Sequence, residues 1–185
     1  MLFRSHVFSG WQTNSIITLR TGFPFTVGQG NILNTANSPA RPDRVGSGAV
    51  DNPTINRWFD VDAFRLVGCN NASLPELCHY GNAGNGILDG PGQQNIDFSA
   101  FKNFRITESV KLQFRGEFFN IFNTPQFGSP NRNLNTGGGF LPTRNASGQI
   151  VYPSQAGVSG GVGTVTSLVA PLRNIQFGLK LIWEH

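Results

Sequence analysis

The sequence predicts an all-β fold built from antiparallel strands, and three observations carry that expectation. Residues 93–123, QQNIDFSAFKNFRITESVKLQFRGEFFNIFN, contain two runs of alternating character joined by a very short polar turn. The composition, with 23 Gly, 11 Pro, 16 Phe and 13% charged residues, suits strands and irregular loops better than helices. No window carries a strong amphipathic-helix pattern, and no apolar run approaches the roughly 18 residues of a membrane helix.

The paired runs decide which kind of sheet this is. In the first, Ile96, Phe98, Ala100, Phe104 and Ile106 share a parity with the exceptional Lys102. Asp97, Ser99, Phe101, Asn103 and Arg105 hold the other. In the second, Val110, Leu112, Phe114, Gly116, Phe118 and Phe122 oppose Lys111, Gln113, Arg115 and Glu117. Strand side chains point alternately to opposite sides, so each run has one apolar and one charged face. Thr107-Glu108-Ser109 leaves room only for a tight reversal, which makes the pair a hairpin. The runs are roughly ten to thirteen residues long, against about 5–6 for a typical strand and about 9–11 for a tilted membrane-spanning one. The predicted class is therefore a fragment of an antiparallel transmembrane β-barrel, about four strands in a curved open sheet with two long extracellular loops. Its apolar face meets lipid and its polar face lines a wet lumen.

Taken in order, the chain begins with the end of a preceding element and a turn at Ser9-Gly10. A strand over about 11–27 follows, with Trp11, Thr13, Ser15, Ile17, Leu19, Phe23, Phe25 and Val27 on one parity; Pro24 marks an edge or strand end. Residues 28–94 form a long irregular tract rich in Asn, Gly and Pro. Within it RWFDVDAF (57–64) makes a short ordered piece. The hairpin strands cover about 96–106 and 110–122. A second long tract covers about 124–171, and the last strand, about 174–183, sets Ile175, Phe177, Leu179, Leu181 and Trp183 against Asn174, Gln176, Gly178, Lys180 and Ile182. If this strand ends in the periplasm, both long tracts lie outside and the short turns lie on the periplasmic side, the asymmetry of outer-membrane barrels. Aromatic girdles then fall at Trp11, Phe104 and Trp183 on the periplasmic rim, and at Phe23, Phe25, Phe98, Phe118 and Phe122 on the outer one. The expected lumen-facing residues are Arg105, Lys111, Gln113, Arg115, Glu117, Gln176 and Lys180, with Asn103 beside them. Lys102, on the lipid face, must snorkel to the periplasmic rim or sit at a bulge that breaks the parity.

Several stretches together resemble the end of the barrel in TonB-dependent outer-membrane receptors, particularly the Oar-like group with a carboxypeptidase-regulatory-like N-terminal domain. They are GWQTNSIITLRTGFPFTV, RWFDVDAF, YGNAGNGILDGPGQQNIDFSAFKNFRI, LQFRGEFFNIFNTPQF and NIQFGLKLIW. The resemblance implies a parent with a barrel of about 22 strands, a plug and a TonB-contacting segment, importing a solute such as a siderophore or oligosaccharide. It implies as partners the outer-membrane lipid, the rest of the barrel and its plug, the TonB complex and the barrel assembly machinery. The final strand resembles the signal read by that machinery, although Glu184-His185 follow Trp183. MLFRSHVFSGWQ lacks the apolar core of a signal peptide, so 1–185 reads as the C-terminal segment of a longer protein, not competent alone. The alternative is a soluble or surface β-sandwich that binds carbohydrate or protein through its loops, which calls for roughly seven strands.

No enzyme and no cofactor are expected. His6, His79 and His185 lie in no metal-ligand spacing. Asp60 and Asp62 in FDVD read as a solvated turn flanking buried Trp58, Phe59 and Phe64 rather than a cation site. Gly137–Gly139 and Gly157–Gly163 lack the lysine of a phosphate loop. A nucleophile elbow is absent. A net charge of +4 spread without a basic block gives no nucleic-acid footprint. Cys69 and Cys78 permit a disulfide in an oxidising exterior, with two free thiols as the alternative.

Overall fold

A computed structural model describes residues 9–30, 40–69, 72–158 and 161–183; His6, Glu184 and His185 lie outside them. Four long strands, β1 (Trp11–Arg20), β2 (Gln93–Arg105), β3 (Val110–Phe119) and β4 (Asn174–Trp183), form an antiparallel sheet in the order β1-β2-β3-β4. Among the described residues there is no α-helix, only three short 3-10 turns.

The register keeps the parity of the sequence throughout. Phe98 lies opposite Phe118, Ala100 opposite Gly116, Lys102 opposite Phe114 and Arg105 opposite Lys111. Trp11 meets Lys102 across β1 and β2, and Gly116 meets Phe177 across β3 and β4. The hairpin closes through the N–H groups of Ile106 and Thr107, both donating to the Val110 carbonyl at 2.9 and 3.1 Å. Lys102 needs no bulge, because it pairs in step on both sides. At the other end of the sheet, the chain leaves after Arg20, returns at Gln93, leaves again after Phe119 and returns at Asn174. Both long connections therefore depart from the end opposite the tight hairpin.

The chain divides into two compact units. One contains the sheet together with Gly92–Phe127 and the segment from Leu168 onward. The other is made by Gly22–Pro91 and Gly128–Ser167. This second unit corrects the expectation of long irregular loops, since it has a hydrophobic core of its own. Phe25, Val27, Phe59, Val61, Ala63, Phe64, Leu66, Ala83 and Leu88 from the first connection pack with Leu134 and Val162 from the second. Phe59 sits at its centre, 5.6 Å from the Phe25 ring and 5.9 Å from the Phe64 ring. Its ladders are only two residues long, such as Pro24–Phe25 with Leu88–Asp89 and Gly28–Gln29 with Asn133–Leu134, the latter parallel. The density of Pro, Gly and Asn stops them growing, and side chains complete the backbone bonding instead. Buried Gln29 donates to the Val67 carbonyl at 2.5 Å and accepts from the Val67 N–H at 3.2 Å.

The first strand is accordingly shorter than 11–27. It ends at Arg20, and a Cβ placed on Gly22 would stand 1.8 Å from the Gly90 carbonyl oxygen. That close backbone approach turns the chain out of the sheet. Phe25 and Val27 belong to the core of the second unit and not to a girdle, while Phe23 stays exposed. β2 begins three residues earlier than expected, at Gln93, and β3 ends at Phe119, short of Phe122.

Cys69 and Cys78 are joined by a disulfide, which encloses the short 3-10 turn Pro75–Leu77. Glu76 in that turn receives a bond from the Arg144 guanidinium on the Thr143–Arg144/Ile150–Val151 hairpin. Its own backbone N–H holds the Glu76 carboxyl below the ordinary glutamate range; desolvation opposes the shift and Arg144 reinforces it.

Replacing both cysteines by serine is expected to weaken the second unit by about 2–3 kcal/mol on the chain-entropy model, read as earlier urea-induced cleavage within 22–91. The depressed Glu76 carboxyl stabilises the fold above its ordinary pKa, and the contribution is lost as pH falls through the lowered value. Hydrogen exchange in 143–151 should therefore quicken under acid in the native protein but lose that pH step in Glu76→Gln.

Candidate functional site

The sheet presents two unlike faces. On the apolar face, rows run across the strands as Phe98–Phe118–Ile175, Ala100–Gly116–Phe177 and Phe104–Leu112–Leu181. Phe98 packs on Phe118 at 6.2 Å, Phe118 meets Phe177 edge-on at 6.2 Å and Phe114 stacks on Phe177 at 6.0 Å. Large and small residues interleave, because Gly116 leaves room between two phenylalanines. Among the described residues nothing covers this face: Ile17 and Leu19 on β1, and Phe177 and Leu179 on β4, are between 62% and 71% exposed. A soluble sandwich would place a second sheet over it. The polar Ser15 on this side is satisfied by donating to the Asp97 carbonyl at 3.1 Å.

Lys102 is the one charge on the apolar face, and it is 2% exposed. Its ammonium donates to the Ser9 carbonyl at 2.5 Å and lies 5.1 Å from the Trp11 ring and 5.5 Å from the Phe104 ring. The side chain reaches toward the hairpin end, where a carbonyl and two aromatic faces replace hydration. Trp11, Phe104 and Trp183 stand exposed at that same end. Phe98 and Phe118 lie toward the other end, whereas Phe122 falls in the turn after β3 and is 72% exposed.

The polar face brings all seven candidate residues together. Arg105 and Lys111 are directly opposite, Gln113 lies between Asn103 and Lys180, Arg115 faces Phe101 and Gly178, and Glu117 lies between Ser99 and Gln176. Gln113 donates to Asn103 Oδ1 at 2.9 Å. Arg115 stacks 4.7 Å over Phe101 and reaches Glu117 at 3.7 Å. Four cations (Arg105, Lys111, Arg115, Lys180) thus share the hairpin half of this face, where Arg115 pairs with Glu117.

The other half differs. Here an open cavity of about 660 Å³ lies on the polar face, lined among others by Arg20, Asn95, Asp97, Phe119, Asn174 and Gln176. Its floor is fixed by a clasp that ends β3. Asp97 Oδ1 accepts from the Asn120 N–H at 2.8 Å and from Asn95 Nδ2 at 2.9 Å. The Asn120 carboxamide bonds both the Thr124 N–H and carbonyl at 2.9 Å. Asn120 and Asn123 have φ of 50° and 54°, the left-handed region asparagine tolerates best after glycine. Gln126 donates to the Gln94 carbonyl, and Asn123 Oδ1 accepts from the Arg173 N–H at 3.0 Å.

Sequence reasoning selected only Gln176 of the residues lining this cavity. Asp97 and Asn174 stood on the correct parity without being singled out, Asn120 fell inside the expected strand 110–122 on its apolar parity, and Gln126 fell beyond it. The signal was present in FNIFN, where two asparagines follow a long strand at the place where it must stop. Elsewhere, Asp60 pairs with Arg57 at 3.3 Å and Asp62 accepts from Ser154 Oγ at 2.9 Å. Trp58 is half-buried and donates to the Asp89 carbonyl, and His79 lies 3.5 Å from Asp43. Among the described residues no three His, Cys, Asp or Glu side chains converge as a metal site.

A family model described as "Outer membrane beta barrel domain" matches residues 2–176. No curated protein and no solved structure matches the chain.

Asn120→Ala should cost about 2–3 kcal/mol, from lost carboxamide bonds and from a left-handed residue with a Cβ. Asn120→Gly, which removes only the first of these, should cost less. The order is checked by urea unfolding of the detergent-extracted protein, followed by heat-modifiable gel mobility.

Proposed function

Because the chain belongs to the family of outer membrane beta barrel domains and is a protein of the bacterial outer membrane, we propose that it supplies part of the barrel of a TonB-dependent receptor of the Oar-like group. The parent imports a solute through the outer membrane with energy delivered by TonB. It is a transporter and not an enzyme.

The observation that supports this reading is the two-faced sheet with both edges open. Among the described residues β1 pairs only with β2, and β4 only with β3. Each unpaired backbone group in hydrocarbon costs several kcal/mol, so further strands must complete the sheet in a membrane. The uncovered apolar face is the lipid face. The polar face is the lumen wall, and its cation-rich half fits an acidic surface on a plug. Tight turn at one end and long connections at the other follow the periplasmic and extracellular sides of such barrels. In this reading both long connections leave the sheet on the extracellular side.

Fractionated cell envelopes test the reading. An antibody to the 110–122 strand should detect, in the outer-membrane fraction, a heat-modifiable band several times heavier than the 20.1 kDa of this chain. A stable species of 20 kDa in the soluble fraction would overturn it. Deleting the TonB system should abolish solute uptake while leaving the band in place; uptake that persists would remove the TonB assignment.

A further inference from the structure

We propose that the cavity at the outer half of the polar face binds a neutral, hydroxyl-rich ligand of the oligosaccharide class, and not an anionic metal chelate. The proposal rests on the reading of this face as a lumen wall and narrows the solute that reaches it.

The lining chemistry carries the argument. Gln93, Asn95, Asn174 and Gln176 come from β2 and β4 and project from the polar face into the cavity. A carboxamide offers donors and an acceptor on one rigid plane, which matches a sugar hydroxyl that both donates and accepts. Charges are balanced: Arg20 contributes one positive group and Asp97 one negative. Asp97 is also engaged internally by the Asn120 N–H and the Asn95 carboxamide, so its charge is compensated by fixed donors. A multiply anionic ligand would meet a single cation here. The cations that would attract it stand in the rows nearer the hairpin, at Arg105, Lys111, Arg115 and Lys180. A wholly apolar ligand would leave the carboxamides unpaired, at about 1–3 kcal/mol for each buried group.

Phe119 adds a second, independent feature. It is an aromatic residue on the polar parity, 39% exposed and opposite Asn174. An exposed ring beside carboxamides supplies a flat apolar platform and hydrogen-bonding edges, the combination that a sugar ring with one apolar face requires. The site is also held in shape before any ligand arrives. Val169 donates to the Gln126 carbonyl at 2.8 Å, Phe127 bridges Leu168 and Asn123 fastens Arg173. These contacts fix the Val169–Leu172 wall against the clasp at Asn120. The volume, about 660 Å³, lies within the roughly 300–1,000 Å³ of small-molecule sites.

The test uses the native gene product extracted from outer membranes in detergent, applied to an array holding neutral oligosaccharides beside sulfated and sialylated ones. Binding to one or more neutral oligosaccharides is expected. Isothermal titration with the best of them should show about three- to tenfold weaker affinity in each of Asn174→Ala, Gln176→Ala and Phe119→Ala. Heat-modifiable mobility identifies the variants that fold, and affinities are compared among those. If Phe119→Ala fails to fold, Phe119→Leu replaces it, with the same direction of effect. Binding confined to sulfated or sialylated glycans, no binding to any neutral glycan, or neutral binding unchanged in all folded variants would overturn the proposal. A gene product absent from the outer membrane would instead overturn the barrel reading, which separates the two failures.

Discussion

A one-residue slip between β2 and β3 would turn Phe114 and Phe118 to the side of Arg105 and Asp97. The register between these strands is therefore the constraint on which the rest depends. It is fixed at one end by the Ile106 and Thr107 N–H groups, which converge on the Val110 carbonyl. At the other end Asp97 holds the Asn120 N–H and the Ile96 carbonyl accepts from Ile121. Between these two pins the apolar residues other than Phe101 and Phe119 are committed to one face, and every candidate polar residue to the other. β1 and β4 add to a frame already set, each pairing along ten residues.

That frame has membrane dimensions. Ten residues at about 3.3 Å each, tilted by about 35–45°, rise close to the roughly 25 Å height of an outer-membrane apolar band. Lys102 shows how the limits of the band are handled. Its ammonium does not remain among Phe114 and Leu179, its neighbours in register, but turns to the Ser9 carbonyl beside Trp11 and Phe104. A cation on a lipid-facing strand is tolerable near the interface and costs about 2–4 kcal/mol at mid-bilayer. The contact with the Ser9 turn thus ties the depth of the sheet to the end of the strand.

The sheet was legible in the sequence because period-2 alternation is a local signal and a short polar turn sets its register. Faces, pairing order and the polar set from Arg105 to Lys180 follow from those two facts. Of the second unit only the ordered piece 57–64, with buried Phe59 and Phe64, was legible. Its core joins Phe25, Phe59 and Phe64 to Leu134 and Val162 across long stretches of sequence, and its two-residue ladders leave no periodicity to read. The same cause explains the misplaced end of the first strand. Phe23, Phe25 and Val27 continue the alternation of β1, but the Gly22–Gly90 approach diverts the chain, a tertiary event that parity cannot reveal. The cavity was half legible, since Gln176 and Asn174 lie in a periodic run, whereas the alternation continues through Phe122 and hides that the strand stops before Asn120.

The polar face then acquires meaning from its division along the strands. Rows nearest the hairpin concentrate Arg105, Lys111, Arg115 and Lys180 around one carboxylate, and rows nearest the long connections replace charge with carboxamides and a phenyl ring. Cross-strand charge pairs contribute about a few tenths to one kcal/mol each, and the register sets Arg105 opposite Lys111 rather than opposite a carboxylate. On the reading proposed above, the two levels of the wall meet different neighbours: an anionic surface near the hairpin, and a neutral ligand near the mouth.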